Sequence, residues 1–336
     1  MQKLSKFFPI FIILLLSFWS IKPLFHSGFF PFHDDAQVQR VFEMKTALSD
    51  GIFPVRWVPD LGFGYGYPIF TFYAPFVYYI GGILNLTGFD SLTATKIMIG
   101  LGMLLAGMSM YVLSREFWGR VGAVVSSLLY VYAPYHAVNL YVRGAVSELW
   151  AYGLLPFVFF GIYKIYKNST DASQAKRNNK KTWLWIIFTS IAYALVIVTH
   201  NLTAMMITPF VFVECLFLFL SLPRSQKNYL TAALMFMSLI IGIVLSAFYW
   251  LPAVAEMGYT NVNSIIGGGS DYKDHFICLS QLWNSSWGYG GSAPGCLLDG
   301  LSFRLGKVHI ILASLSLIPL IFTWRSNKNI AYSILL

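Results

Sequence analysis

Long apolar stretches, each ended by a short polar one, recur along the whole chain. Several reach the roughly 20 residues of helix that cross a hydrocarbon core. Their apolar positions are continuous rather than alternating, which rules out a porin-type barrel. The pattern predicts helices at 7–25, 93–113, 121–138, 149–166, 183–200, 202–220, 229–251 and 307–323. A further apolar stretch at 69–86 is rich in Tyr, Phe, Pro and Gly. Counting it as a span would put either the loop after the first helix or the loop around Arg115 on the wrong side, so it is expected to be re-entrant or to lie along the outer interface. The fold class expected is all-α: one polytopic transmembrane helical bundle over 1–336, with no internal repeat and no soluble domain.

Composition agrees: of 336 residues 57% are hydrophobic, 18% aromatic and only 11% charged, far fewer charges than a soluble domain carries. The net charge of +9 suggests nucleic acid until the basic residues are located. They sit beside helix ends, as the positive-inside rule requires, and no nucleic-acid partner is expected. The stretch 164–181, with Lys164, Lys167, Lys176, Arg177, Lys180 and Lys181 against Asp171 alone, is assigned to the cytoplasm. Arg115 with Arg120, Arg224 with Lys227, and Arg325 with Lys328 mark further cytoplasmic loops, and the N-terminus is cytoplasmic by the same rule. Lys3 and Lys6 before an apolar run resemble a signal peptide, but no small-residue cleavage site follows, so the first helix is read as uncleaved. An apolar segment begins at 330–336 and stops mid-span, so the chain is expected to be an N-terminal piece of a longer one.

Three outer loops follow, at 26–68, 139–148 and 252–307, and they hold nearly all the unusual polar residues. His33-Asp34-Asp35 precede a stretch whose Val38, Val41, Phe42 and Leu48 fit an amphipathic surface helix. Asp34 with Gln37 reads as a capping box, or as a catalytic carboxylate beside a His at the bilayer surface, with Asp35 then the cap of the helix. Arg56 and the Gly-aromatic run 62–67 come next. The run lacks the strand and the Lys-Ser/Thr of a phosphate loop, and Tyr67 and its neighbours suit interfacial anchoring or sugar stacking. Arg143 between two helix ends suits a phosphate, whereas Glu148 at a helix start is already favoured by the helix dipole. His200 lies at a polar hairpin tip, and Glu214 lies inside a span. Gly267-Gly268-Gly269-Ser270 reads as a linker or a lid. Asp274 and His275 are solvated loop charges, or metal ligands together with Asp34. Cys278 and Cys296 share the last outer loop and can pair there, while Cys215 lies in an apolar run.

Certain motifs carry a resemblance: His33-Asp34 with Arg40, the run 51–57, Gly64-Tyr65-Gly66-Tyr67-Pro68, Phe72-Tyr73-Ala74-Pro75, Ala133-Pro134-Tyr135, Tyr141-Val142-Arg143-Gly144-Ala145 with Glu148, and Ser286-Trp287-Gly288-Tyr289-Gly290. The chain resembles a family of membrane proteins labelled 6-pyruvoyl-tetrahydropterin synthase-related, itself similar to the GT-C superfamily of membrane glycosyltransferases. The label misleads, because a pterin synthase needs a zinc-binding His cluster and the six His residues here are scattered without a His-x-His pair. The resemblance implies a polyprenyl-phosphate-linked sugar donor, a glycan, lipid or protein acceptor, and surrounding membrane lipid. It implies Asp34 as general base, Glu148 in a second acidic motif as the other catalytic residue, orienting substrate or an ion with His33, and Arg143 on the donor phosphate. His33, Arg56, His200 and Tyr67 are expected to bind substrate. Relatives often carry another His shortly after His33-Asp34. Here Gln37 and Val38 stand instead, which leaves a divalent metal ion, Mg or Mn, an open matter.

The expectation is an inverting sugar transferase in the cell membrane with its active face extracytoplasmic. A lipid or polysaccharide transporter would instead bury ionisable residues at mid-membrane and show inverted repeats, and a non-catalytic scaffold would tolerate loss of both acids.

Overall fold

The computed structural model describes residues 4–170, 179–221, 229–261, 264, 271–296 and 299–323. The helices are α1 (Leu4–Ile21), α2 (Gln37–Ser49), α3 (Ile69–Phe72), α4 (Phe76–Leu86), α5 (Ser91–Val131), α6 (Pro134–Val138), α7 (Val146–Thr170), α8 (Asn179–Thr199), α9 (Asn201–Ser221), α10 (Tyr229–Leu245), α11 (Ala247–Glu256), α12 (Leu279–Trp283) and α13 (Lys307–Thr323). The described residues form no sheet, only an isolated bridge between Val58 and Tyr67. Five of these helices are long and apolar enough to cross a membrane, or six if the bent pair α10 and α11 counts as one span. The fold is therefore the expected all-α membrane bundle. Lys3, Lys176, Arg177, Arg224, Lys227, Arg325, Lys328, the stretch 267–270 and the segment 330–336 lie outside the described residues.

Local chemistry accounts for where the helices depart from expectation. α5 has 41 residues, about 60 Å if straight, twice a hydrocarbon core. It folds back at Gly119 (φ 66°), and Ser127 on the returning arm donates to the Gly107 carbonyl at 2.6 Å. The two helices expected at 93–113 and 121–138 are these arms, but the second ends at Val131. Ala133, held extended (ψ 127°) by the proline that follows it, starts α6 as a separate turn. The helix expected at 229–251 is likewise broken, and its halves meet at 62°. Ser246 Oγ donates to the Gly242 and Ile243 carbonyls at 3.0 and 2.9 Å, the back-bonding that bends helices. The segment 69–86 does not make one span. It breaks at Tyr73-Ala74-Pro75, and α4 has 11 residues, about 16 Å, too short to cross alone.

α7, α8, α9 and α10 pack around Val158, Ile162, Tyr193, Val196, Val211 and Leu239. A second core joins the site-side loops to this bundle through Val41, Met44, Tyr78, Met98, Leu149 and Trp150. The helix expected on the membrane surface is present as α2, yet its apolar side faces protein: Val41, Met44 and Ala47 are fully buried. Gly81 and Gly82 of α4 permit this, since a Cβ at either would lie 2.6 Å from Val41 or 2.7 Å from Met44. Close approach through small residues is the usual device of membrane helices. In front of α11, Arg56 Nη2 donates to the Phe248 carbonyl at 3.2 Å and the Tyr249 hydroxyl to the Phe72 carbonyl at 2.9 Å.

Candidate functional site

Two backbone hydrogen bonds join the loop after α1 to the turn before α7: His33 N–H donates to the Val142 carbonyl and Asp34 N–H to that of Arg143, both at 2.9 Å. The turn 139–143 is a single π-type turn closed by Gly144 in the left-handed region (φ 66°). The Phe32 ring lies where a Gly144 side chain would be, so that a Cβ would meet it at 2.1 Å. Gly144 is thus required both for its backbone conformation and for space.

Asp34 is held on one side. Its Oδ2 accepts from Arg40 Nη1 and Gln37 Nε2, both at 2.8 Å, and from the Tyr73 hydroxyl at 3.3 Å. Among the described residues Oδ1 has no hydrogen-bond partner, and the side chain is 26% exposed. Gln37, fully buried, also donates to the Gly144 carbonyl at 2.8 Å and accepts from the Tyr78 hydroxyl at 2.7 Å. The Arg40 guanidinium lies over the Tyr73 ring, 4.5 Å from its centre. Burial works against the Arg40 charge, but Tyr78 and Asp34 outweigh it and hold the group above its ordinary range.

The second acid is more enclosed. Glu148 Oε2 pairs with Arg143 Nη1 at 2.6 Å, with side-chain exposures of 8% and 36%. Its Oε1 accepts from the hydroxyls of Tyr135 at 2.8 Å and Tyr152 at 2.5 Å. Arg143 Nη1 also donates to Tyr135 at 2.5 Å and to Asn139 Oδ1 at 3.1 Å. Burial opposes the Arg143 charge, and Glu148 more than compensates, raising it. Burial and the adjacent Glu148 charge push the Tyr135 hydroxyl up to about 12. Nη2 and Nε of Arg143 carry no hydrogen bond among the described residues. His200, half-buried, pairs with the Thr203 hydroxyl at 2.7 Å; burial lowers its pKa, while Glu148 pulls it up and Arg143 down.

The structure thus gathers Asp34, Arg143, Glu148 and the electrostatic reach of His200. It fixes the backbone of His33 while leaving that side chain exposed. Arg56 is engaged at α11, and Tyr67 stands half-exposed in the Gly-aromatic hairpin; neither has a contact with the two acids. The capping reading is corrected: the N-cap of α2 is Ala36, with no side-chain cap bond, so neither Asp34 nor Asp35 caps it. The metal candidates Asp34, Asp274 and His275 gain no support. No group of three or more His, Cys, Asp or Glu side chains able to hold a metal occurs among the described residues. Asp34 is turned to Arg40, and His275 bonds Ser292 at 2.6 Å. The described residues thus bring no ligand set together around Asp34.

Sequence reading gave Gln37 only a capping role and assigned no site role to Arg40, Tyr73, Tyr78, Tyr135, Asn139 or Tyr152. Helical spacing offered a signal for some: Gln37 and Arg40 recur every three residues after Asp34, and Asn139 and Tyr152 lie four residues from Arg143 and Glu148. Tyr73, Tyr78 and Tyr135 come from other segments and carried none.

A family model described as 6-pyruvoyl-tetrahydropterin synthase related domain, membrane protein, matches residues 70–266. The chain belongs to that family. The family stretch contains Tyr73, Tyr78, Tyr135, Arg143, Glu148 and His200, while Asp34, Gln37 and Arg40 precede it. A relative from Lactococcus lactis subsp. cremoris, described as an uncharacterized protein, is 22% identical over 273 residues, covering 79% of this chain and 42% of its own. The crystal structure of the Archaeoglobus fulgidus oligosaccharyltransferase in the apo form superposes with a TM-score of 0.59 at 12% identity, over 99% of this chain and 47% of that one. This likeness shows the fold, an all-α bundle of membrane helices. The chain spans less than half the length of either protein.

Proposed function

We propose that the protein is an inverting glycosyltransferase that moves a sugar from a polyprenyl-phosphate carrier to an acceptor hydroxyl at the membrane surface. The observation that carries the reading is the pairing of Asp34 N–H with the Arg143 carbonyl, which holds the backbones of a part-exposed carboxylate and a part-exposed guanidinium side by side. Oδ1 of Asp34 takes the proton of the acceptor hydroxyl as its oxygen attacks the anomeric carbon. The bond from that carbon to the phosphate oxygen breaks, and the lipid phosphate leaves with the electron pair. The free edge of Arg143, Nη2 and Nε, meets the charge that develops there. Glu148, enclosed by two tyrosines and the guanidinium, acts as a positioning residue for Arg143. His33 and His200 border the same ground and orient substrate.

The extracytoplasmic placement of this face has two supports. Cys278 and Cys296 are disulfide-bonded, a state favoured outside reducing compartments. At the opposite ends of the helices, Lys164 and Lys167 pair with Glu116 at 2.9 and 3.2 Å, beside Arg115, in keeping with the positive-inside rule.

The test uses the full-length protein with polyprenyl-phosphate sugars and candidate acceptors. Transfer that is lost in Asp34→Asn, with thermal stability retained, supports the reading. Undiminished transfer in that variant removes Asp34 from the role, and movement of labelled lipid across vesicles without bond cleavage replaces the enzyme by a transporter.

A further inference from the structure

Lys96 stands apart from the other basic residues. It lies within the apolar span that begins at Ser91, at the end of α5 that faces the site loops. No carboxylate lies within ion-pair distance of it among the described residues. A Lys near the end of a membrane helix carries its ammonium to the interface, where lipid headgroups lie. Its one recorded bond is from Nζ to the His26 carbonyl at 2.7 Å, which uses one of three protons and holds the ammonium where α1 ends.

That ammonium stands at a groove of about 430 Å³ between the end of α1 and the first turns of α5. Leu24 and Phe25 form one wall, and Ile97, Leu101 and Leu104 form the other. The latter three recur every three to four residues, a single helix stripe. Gly100 makes the floor, since a Cβ there would approach nothing nearer than Leu24 at 3.7 Å. Phe25 and Leu101 remain 71% and 41% exposed. From Lys96 to Leu104 the stripe runs about 12 Å, close to the depth of one leaflet's hydrocarbon. Asp90, one turn and a half before Lys96, is engaged in capping α5 through the Thr93 N–H.

We propose that this groove holds one anionic phospholipid, its phosphate on Lys96 and one acyl chain along Ile97, Leu101 and Leu104. The charge at the mouth selects the headgroup, and the apolar stripe takes the chain. None of Asp34, Arg143 or Glu148 lines the groove, so the site is separate from the one assigned to the sugar carrier and does not depend on it.

The test is native mass spectrometry of the full chain with phosphatidylglycerol and phosphatidylcholine of identical acyl chains. One phosphatidylglycerol is expected to be retained about tenfold more tightly, the scale of a charge-assisted bond. Lys96→Gln loses that preference, Lys96→Arg keeps it, and Gly100→Leu, which leaves the charge in place and fills the floor, lowers retention of both lipids. Equal retention by the wild type overturns the proposal, as does a preference that survives Lys96→Gln in folded protein. Displacement of phosphatidylglycerol by a polyprenyl phosphate at equal concentration also overturns it, by making the groove a carrier site.

Discussion

The backbone of Asp34 is hydrogen-bonded to that of Arg143, N–H to carbonyl at 2.9 Å, across 109 positions of sequence. The two side chains proposed to do the chemistry therefore share one short piece of ladder, and each is further fixed by its own partner, Arg40 for the acid and Glu148 for the guanidinium. The geometry makes specific demands on the residues around it.

Gln37 reaches both halves, with Nε2 on Asp34 and on the Gly144 carbonyl. Gln37→Leu keeps the volume but leaves the Tyr78 hydroxyl and the Gly144 carbonyl without this partner, at a cost of about 2 kcal/mol. Transfer is expected to fall mainly in kcat with KM little changed, because Asp34 loses one of three donors that aim it. A rise in KM alone, measured over a donor titration, would contradict that positioning role.

Gly144→Ala places a methyl against Phe32 in a backbone region that L-residues rarely adopt. The expected loss is roughly 2–3 kcal/mol, read as a lowered Tm in detergent. Adding Phe32→Ala relieves the clash but not the backbone term, so the double variant recovers only part of the loss.

Arg143→Lys keeps a positive charge but gives up the planar fork, and transfer is expected to drop at least about tenfold with donor carriers. Glu148→Gln removes the opposing charge and costs about 2 kcal/mol, less than for a fully buried pair because Arg143 is one-third exposed. If Glu148 only positions Arg143, the pH profile of transfer keeps its shape in Glu148→Gln while its height falls.

His136 is buried, its Nδ1 without a hydrogen-bond partner, between the rings of Tyr130 and Tyr152. Burial, joined by His309 and opposed by Glu148, lowers its pKa from 6.5 to about 4. The unfolded chain takes the proton first, so stability is unaffected above pH 6.5 and falls as pH drops from 6.5 toward 4. The loss reaches about 3 kcal/mol at the lower limit. His136→Gln flattens this part of the Tm against pH curve; an unchanged slope between pH 4 and 6.5 sinks the assignment.

The bond between Cys278 and Cys296 closes a sequence separation of 18 in the segment that also carries Trp287 and Tyr289. Reduction is expected to loosen that loop by about 3 kcal/mol. Maleimide labelling of the folded protein should add nothing before mild reduction and two groups after it, with buried Cys215 reacting only on unfolding.

Much of the fold was legible because membrane spans write themselves as uninterrupted apolar runs, and the failure of 69–86 to span followed from parity alone. The bend at Ser246 and the early stop at Val131 were not, because each depends on a local bond or a following proline within a run that remains apolar throughout. For the site, Asp34, Arg143 and Glu148 stood out as charges beside helix ends. Their mutual arrangement did not, since Gln37, Tyr73 and Tyr78 look in sequence like ordinary interfacial residues and acquire meaning only from contacts about 40 to 110 positions away. The apparent capping pattern of Asp34 and Gln37 was a real pairing, with its acid serving Arg40 rather than the helix end.

The 62° bend between α10 and α11 has a mechanical consequence. α11 leaves the bundle sideways and is tied to the front of the molecule by Arg56 on the Phe248 carbonyl and by Tyr249 on that of Phe72. Straightening the pair would have to release both ties. The bend thereby seats the start of the last outer loop against the segments that carry Arg56 and Phe72.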